Sequence, residues 1–194
     1  MKTIILVRHS LPEKINLENK NIPLSNDGIT KAKTFFQLPI FKHIDYVYSS
    51  TYLRALQTAQ VFSNQVIKDE RFIERLIGDS ETADKRQWKM QYENHDFKNI
   101  NGESLNEVKE RMCASIYDVL NHMQEEETSV VVSHATSICS YLLSICEITV
   151  TNEKDKIRRI SLKGKTIFEG RIQKPSCFII QYEHNEIIDI SYME

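Results

Sequence analysis

The feature that most constrains the fold of this chain is its alternation of short apolar runs with segments of helical periodicity. Runs of strand length occur at residues 3–7, 45–49 and 128–133. Four helices are predicted, at about 26–37, 51–63, 104–123 and 135–147, and the second and third of them carry apolar residues at helical spacing. Strands that alternate with helices in this way are typical of a layered α/β domain with a largely parallel sheet.

The segments between these elements are less regular. Residues 10–26 are polar and contain two prolines, which indicates a loop, and residues 64–73 predict a short strand followed by a loop. Ser50 could cap the second helix, and Ser104 with Glu107 forms a capping-box pattern. Two strands near 176–182 and 186–191 are predicted at the end, joined by a turn at His184-Asn185, whereas the charged segment 151–172 supports no assignment.

Bulk properties narrow the class of protein. A chain of 194 residues suggests a single domain, with an insertion at about residues 79–101. The net charge is −2, from 25 basic and 27 acidic residues, which gives no electrostatic footprint for nucleic acid or an anionic membrane. We therefore expect a monomer or homodimer whose partner is a small molecule, with no nucleic-acid or membrane partner.

The sequence also predicts a cytoplasmic location. No segment approaches the ~20 apolar residues of a membrane helix. The apolar run at the start of the chain stops at Arg8, which is too short for a signal peptide. The cysteines form no C-x-x-C pair and are expected to be buried free thiols of a reducing compartment: Cys113, Cys139, Cys146 and Cys177.

Polar clusters follow each of the three predicted strands. Arg8-His9 follows the first, Ser133-His134 follows the Val-rich run, and the segment 49–54, which ends at Arg54, follows the second. Sites in open α/β sheets form at the carboxyl ends of strands. These clusters are distant in sequence, and we expect them to meet in one crevice.

Two arginines and two histidines in one crevice would bind a tetrahedral oxyanion. The guanidinium fork matches phosphate geometry, and the helix that begins near Thr51 would add backbone N–H groups. A neutral imidazole can attack phosphorus, and the leaving alkoxide then needs a proton from a carboxylic acid. Because arginines can neutralise the developing charge, this chemistry needs neither a metal nor a cofactor.

Each residue also has an ordinary structural interpretation. Arg54 could be a solvated charge, and His134 could be a structural histidine. His9 and His134 could instead bind a metal, but no third ligand lies at a recognisable spacing, and neighbouring arginines would repel a cation. The joint placement at three strand ends favours the phosphate site over these alternatives.

The segment Leu6-Val7-Arg8-His9-Ser10 resembles the LVRHG signature of the histidine phosphatase superfamily, in its phosphoglycerate mutase-like branch. Five further blocks resemble family motifs in the right order: PLSNDG at 23–28, YSSTYLRALQTA at 48–59, ERLIG at 74–78, GES at 102–104 with Arg111, and VSHA at 132–135. The blocks span about residues 4–146. The resemblance implies a three-layer α/β/α sandwich with a mainly parallel sheet.

The resemblance also implies a role for each matching residue. His9 would be the nucleophile that becomes phosphorylated. Arg8, Arg54 and His134 would hold the phosphoryl oxygens and stabilise the transition state. Glu74 would protonate the leaving group and then activate water; its competitors for this role are Glu70, Glu81 and Glu103.

Departures from the family pattern favour a phosphomonoesterase over a mutase. Ser10 and Ala135 replace glycines, and Ser10 could donate an additional hydrogen bond to phosphate. The tryptophan of the mutase signature is missing after Pro12, and the chain is shorter than typical mutases. A mutase and a non-catalytic phospho-ligand-binding regulator remain the alternatives, and the intact arginines and histidines oppose the regulator.

Substrate specificity is expected to come from a lid at about 79–101, with part of 10–22. The lid contains basic and aromatic residues: Lys85, Arg86, Trp88, Lys89, Tyr92 and His95. They could contact a polyanionic or ring-bearing substrate, or they could belong to a solvated amphipathic helix. The sequence does not identify the substrate.

Overall fold

The computed structural model describes residues 1–79 and 87–194. The helices are α1 (Asn26–Phe35), α2 (Leu53–Phe62), α3 (Gln87–Glu93), α4 (Leu105–His122) and α5 (Ala135–Leu142). The strands are β1 (Lys2–Arg8), β2 (Tyr46–Ser49), β3 (Ile67–Lys68), β4 (Thr128–Ser133), β5 (Glu147–Asn152), β6 (Ile157–Leu162), β7 (Lys165–Gly170), β8 (Ser176–Glu183) and β9 (Glu186–Met193). Short 3-10 turns occur at Asn19–Asn21, Pro39–Phe41 and Glu70–Phe72.

The central sheet has the strand order β3-β2-β4-β1-β8-β9. Its first four strands are parallel, and β8 and β9 run antiparallel to β1. The middle residues of β1 and β4 are buried, because side chains on both faces of these strands are covered. This arrangement confirms the predicted α/β fold with a mainly parallel sheet.

Helices cover the two faces of the sheet. Ile5 and Val7 of β1 belong to a hydrophobic cluster with Phe35 of α1 and Ala55 of α2. Their neighbours on the opposite face belong to a larger cluster with α4 and α5, which includes Met112 and Ile138. Alternate residues of one strand therefore support two helical layers, as in the predicted three-layer sandwich.

Helix boundaries follow the capping signals with two exceptions. Ser104 and Glu107 form the predicted capping box at the start of α4. The expectation for α2 is wrong in detail: Tyr52 is the N-cap, and the Ser50 hydroxyl accepts a hydrogen bond from the Tyr52 amide. Helix α5 is shorter than expected because its last turn gives way to tight turns over residues 143–146.

Most of the charged segment that supported no assignment belongs to a second sheet, which is antiparallel and ordered β5-β6-β7. Most side chains of these three strands are partly or fully exposed. The buried apolar side chains of the strands are Ile148, Ile160 and Phe168. These three belong to the same hydrophobic cluster as Ile180 of the central sheet. One buried apolar residue per strand is too weak a period-two signal to identify a strand from sequence.

The described part of segment 79–101 contains α3, which contacts the second sheet. The Arg158 guanidinium of β6 lies 4.8 Å from the Trp88 ring centroid and donates a 2.6 Å hydrogen bond to the Tyr92 hydroxyl. Trp88 and Tyr92, which could have contacted the substrate, therefore both contact Arg158 in this structure. The expectations for Glu81, Lys85 and Arg86 lie outside the described residues. Within 1–79 and 87–194, no helix combines the length and apolar character needed to cross a membrane.

Candidate active site

Three neighbouring parallel strands bring the predicted clusters to one edge of the central sheet. Strand β4 lies between β2 and β1, and its Ser133 pairs in register with Arg8. Just beyond the strands, the His9 amide donates to the Ser133 carbonyl at 3.0 Å, and the Ser50 amide donates to the Val132 carbonyl at 2.9 Å. The carboxyl ends of all three strands therefore meet at a single crevice.

Arg54 connects the two histidines. Its Nε donates to Nε2 of His9 at 3.1 Å, and its Nη2 lies 3.3 Å from Nδ1 of His134. The two imidazole centroids are 5.0 Å apart, and all three side chains are buried. The remaining terminal nitrogen donates to the Asn19 carbonyl at 2.5 Å, so the loop after β1 also reaches the crevice.

Hydrogen bonds determine which nitrogen of each histidine is free. Nδ1 of His9 lies 2.6 Å from the Ser10 carbonyl, which can only accept, so this nitrogen carries the proton. The lone pair is then on Nε2, which faces Arg54. In His134, Nδ1 accepts from Arg54, and the protonated Nε2 donates to the Ser50 hydroxyl at 2.9 Å.

Both histidines are neutral at neutral pH. Burial holds the pKa of His9 well below its ordinary value, and the positive charge of Arg54 lowers it further. Burial likewise lowers the pKa of His134, with smaller effects from His9 and Arg54. A neutral His9 keeps the Nε2 lone pair that nucleophilic attack requires.

Arg8 supplies a second buried cation. One terminal nitrogen donates to the Ile172 carbonyl, and its buried Nε has no hydrogen-bond partner within the described ranges. Burial lowers the pKa of Arg8 to about 10, opposed by the attraction of Glu74. Arg8 remains charged at neutral pH, and its charge contributes to the lowered pKa of both His9 and His134.

Glu74 faces the same crevice from the segment that follows the Glu70–Phe72 turn. One carboxylate oxygen accepts from the Arg75 amide at 2.9 Å and lies 3.3 Å from the Ser137 hydroxyl of α5. The negative charge of Glu74 opposes the lowering of the pKa of both Arg8 and Arg54. Glu74 is therefore electrostatically coupled to both arginines of the crevice.

The other candidate carboxylates are placed differently. The two oxygens of Glu103 pair with the Arg111 guanidinium at 2.8 and 2.9 Å, and one of them also accepts from the Leu76 amide. This bidentate pair fixes Glu103 in a structural role. Glu70 is exposed, and Glu81 lies in the part of the chain that is not described.

Ser10 is buried beside the nucleophile, but its hydroxyl donates to the Gly28 carbonyl at 2.7 Å. A hydrogen bond from Ser10 to phosphate would therefore require this hydroxyl to turn away from α1. A different close approach explains the glycine of the PLSNDG block. A Cβ on Gly28 would lie 2.1 Å from the Leu11 carbonyl oxygen, so only glycine allows the loop to pack against α1.

Several groups at the site had no motif to identify them. They are the carbonyls of Asn19 and Ile172 and the ammonium of Lys174, whose charge lowers the pKa of His9. A backbone carbonyl carries no sequence signal. Lys174 precedes β8, and its place near the site follows from the antiparallel pairing of β8 with β1, which the sequence pattern does not reveal.

The arrangement disfavours the metal-ligand alternative for the histidines. The group between His9 and His134 is the Arg54 guanidinium, which repels a cation. Within residues 1–79 and 87–194, no cluster of three or more His, Cys, Asp or Glu side chains is arranged to hold a metal ion.

Comparisons with known proteins address the fold and the family of the chain. Among proteins with curated descriptions, none matches the chain in sequence. Similar solved structures include phosphoserine phosphatase from Entamoeba histolytica in complex with 3-phosphoglyceric acid, with a TM-score of 0.73 and 23% identity over 100% of this chain and 98% of that chain. A mycobacterial glucosyl-3-phosphoglycerate phosphatase complexed with VO3 has a TM-score of 0.72 and 16% identity, over 99% of this chain and 96% of that chain.

Another similar structure is YhfR of Bacillus stearothermophilus, with a TM-score of 0.69 and 22% identity over 97% of this chain and 95% of that chain. Likenesses at these identities establish the fold. A family model described as the histidine phosphatase superfamily (branch 1) matches residues 4–170. The chain therefore belongs to the histidine phosphatase superfamily, in its branch 1.

Proposed function

We propose that the protein is a phosphomonoesterase that hydrolyses a small phosphate ester through a phosphohistidine at His9, without a metal ion. The observation that carries this proposal is the Nε2 lone pair of a buried, neutral His9, held 3.1 Å from the Arg54 guanidinium. Similar phosphatase structures in complex with phosphoserine and with 3-phosphoglyceric acid support the substrate class.

In the first step, Nε2 of His9 attacks phosphorus in line with the ester oxygen. A P–N bond forms, and the P–O bond to the alcohol breaks. The Glu74 carboxyl gives its proton to the departing alkoxide, so that a neutral alcohol leaves. The hydrogen bond from Nδ1 to the Ser10 carbonyl orients the imidazole and stabilises the positive charge that develops on it.

In the second step, water attacks the phosphorylated His9. The Glu74 carboxylate accepts a proton from this water, the P–N bond breaks, and inorganic phosphate leaves. His9 returns with its lone pair on Nε2, and Glu74 returns as the acid. Ester and water are consumed, and alcohol and phosphate are produced.

Arg8, Arg54 and His134 stabilise the phosphoryl oxygens in both steps. On phosphate binding, the Arg54 N–H groups that now contact the histidines turn to the oxygens, and arginine charge offsets the charge that develops. Helices α2 and α5 also begin at the crevice, and neither N-terminus has a side-chain cap. Their backbone N–H groups are suited to an anion.

We further propose that the chain is a single domain located in the cytoplasm, with a lid formed by about residues 79–101 and part of residues 10–22. The contact between the Asn19 carbonyl and Arg54 supports the part of the lid that follows β1. The free cysteines at 113, 139, 146 and 177 support a reducing compartment.

Hydrolysis of p-nitrophenyl phosphate by the purified chain tests the proposed function. Turnover should persist in the presence of a chelator and should be lost in His9→Ala, while a His43→Ala control keeps the parent rate. Transfer of phosphate between phosphoglycerate positions would favour a mutase instead. Phosphate binding without any turnover would favour a regulator.

A further inference from the structure

Lys174 lies at the crevice but has no role in the proposed reaction. It precedes β8, whose first residue, Ser176, pairs in register with Arg8 at the end of β1. Two residues before Lys174, the Ile172 carbonyl accepts a hydrogen bond from Arg8. The segment that carries Lys174 therefore packs against the guanidinium beside the nucleophile.

The surroundings of Lys174 are unfavourable for an ammonium group. The side chain is half-buried, and it makes no hydrogen bond or ion pair with any residue in 1–79 or 87–194. Burial lowers the pKa of Lys174 to about 8, and the charges of Arg8, Arg54 and Arg171 add to this effect. The negative charge of Glu74 opposes them.

The proposed reaction changes the charges around Lys174. A bound phosphoryl dianion is balanced by Arg8 and Arg54. Glu74 must be protonated, and therefore neutral, when it is ready to protonate the leaving alkoxide. In that state Glu74 no longer offsets the ammonium of Lys174, and a half-buried charge is costly unless a ligand completes the site.

We propose that Lys174 binds a second anionic group of the substrate, a carboxylate or a phosphate carried by its alcohol portion. This inference rests on the proposed function, because it takes the phosphoryl group to lie between Arg8 and Arg54. Lys174 is a specificity-determining residue in this account. Esters with two separated anionic groups would bind more tightly than esters with one.

Phosphonates that cannot be hydrolysed test the inference by binding alone. Titration calorimetry compares 3-phosphonopropanoate with propylphosphonate, which differ by a carboxylate in place of a methyl group. Ethane-1,2-bisphosphonate replaces the same methyl group by a second phosphonate. The parent protein should bind 3-phosphonopropanoate or ethane-1,2-bisphosphonate about 10- to 100-fold more tightly than propylphosphonate, as expected for one charge-assisted hydrogen bond. The tighter of these two ligands shows whether Lys174 prefers a carboxylate or a phosphate.

Two variants and a control decide whether Lys174 causes this preference. Lys174→Met should remove it while leaving propylphosphonate affinity within a few-fold of the parent, and Lys174→Arg should keep most of it. Lys165→Met removes an exposed lysine of β7 and should behave as the parent. Thermal unfolding confirms that each variant is folded.

A parent protein without the preference would overturn the inference, as would an unchanged preference in Lys174→Met or an equal loss for all three ligands. The binding readout is independent of turnover. Failure of the proposed hydrolysis with an intact, Lys174-dependent preference would therefore contradict the catalytic proposal alone.

Discussion

Removal of the charge at Arg54 should alter both the rate of the reaction and its dependence on pH. Arg54→Met removes a buried cation whose Nε lies 3.1 Å from the nucleophilic nitrogen of His9. Arg54→Lys keeps the charge but replaces a planar fork by one ammonium, which cannot contact His9, His134 and the Asn19 carbonyl in the same way.

The rate effect follows from lost transition-state contacts. Arg54 directs two N–H groups, from Nε and Nη2, towards the site. Removal of one such donor typically costs about 10²- to 10³-fold in turnover, so kcat/KM should fall by about 10³-fold or more in Arg54→Met. Arg54→Lys should fall less, because a point charge still offsets part of the phosphoryl charge.

The pH effect follows from the charge itself. Unit charges about 4 Å apart at an effective dielectric constant of about 20 interact by ~4 kcal/mol, which corresponds to an upper limit of about three pKa units. The Arg54 charge lowers the pKa of His9, so its removal raises that pKa. The acid limb of kcat/KM should move to higher pH by about one to three units in Arg54→Met and by less than about one unit in Arg54→Lys.

The assay is a profile of kcat/KM for p-nitrophenyl phosphate against pH for the parent and both variants. Ionisation of the ester is common to the three proteins and cancels in the comparison. An acid limb that stays in place or moves to lower pH in Arg54→Met would refute the reasoning, as would an equal shift in the two variants.

Three further outcomes are expected. Glu74→Gln should slow hydrolysis of an alkyl phosphate by about 10²- to 10⁴-fold but that of p-nitrophenyl phosphate much less, because nitrophenolate leaves without a proton. The control Glu103→Gln should reduce folding stability without this selectivity between esters. Equal effects of Glu74→Gln on both esters would contradict the acid role. Because burial lowers the pKa of His9 and His134, the unfolded chain binds more protons below pH ~6.5, so the free energy of unfolding should fall by up to about 2.7 kcal/mol per pH unit as the pH drops from there towards the folded-state pKa values. The free energy of unfolding, measured by urea denaturation at several pH values, should change less steeply with pH in the double variant His9→Asn/His134→Asn. An unchanged dependence on pH would oppose the account. Gly28→Ala should lower stability by about 1–3 kcal/mol in the same assay, because its Cβ would lie 2.1 Å from a backbone carbonyl oxygen, and an unaffected variant would contradict that contact.

The parts of the fold that were predictable are those in which local signals and burial agree. Strands β1 and β4 are apolar because both of their faces are covered, and their bounds nearly match the predicted ones. The turn at His184-Asn185 has positive φ angles of 50° and 63° at two residues that tolerate this region. Polar residues placed just after buried parallel strands also indicated where the site would form.

The parts that were not predictable depend on contacts between distant segments. The second sheet is specified by a few buried residues that pack on the central cluster, and a local pattern does not reveal such packing. Lys174 reaches the site because β8 is antiparallel to β1 and begins at its carboxyl end. The rule that sites form at the ends of parallel strands does not cover that position, and it becomes identifiable only once the pairing of β8 with β1 is known.

Direct detection of the phosphorylated enzyme tests the central claim. The protein is mixed with a phosphate ester, quenched in denaturant at alkaline pH, digested and analysed by mass spectrometry, because phosphohistidine is labile in acid. The account predicts one phosphoryl group on His9, absent in His9→Asn and increased in occupancy in Glu74→Gln with the nitrophenyl ester. Turnover with no phosphoryl group on His9, or with the group on another residue, would contradict it.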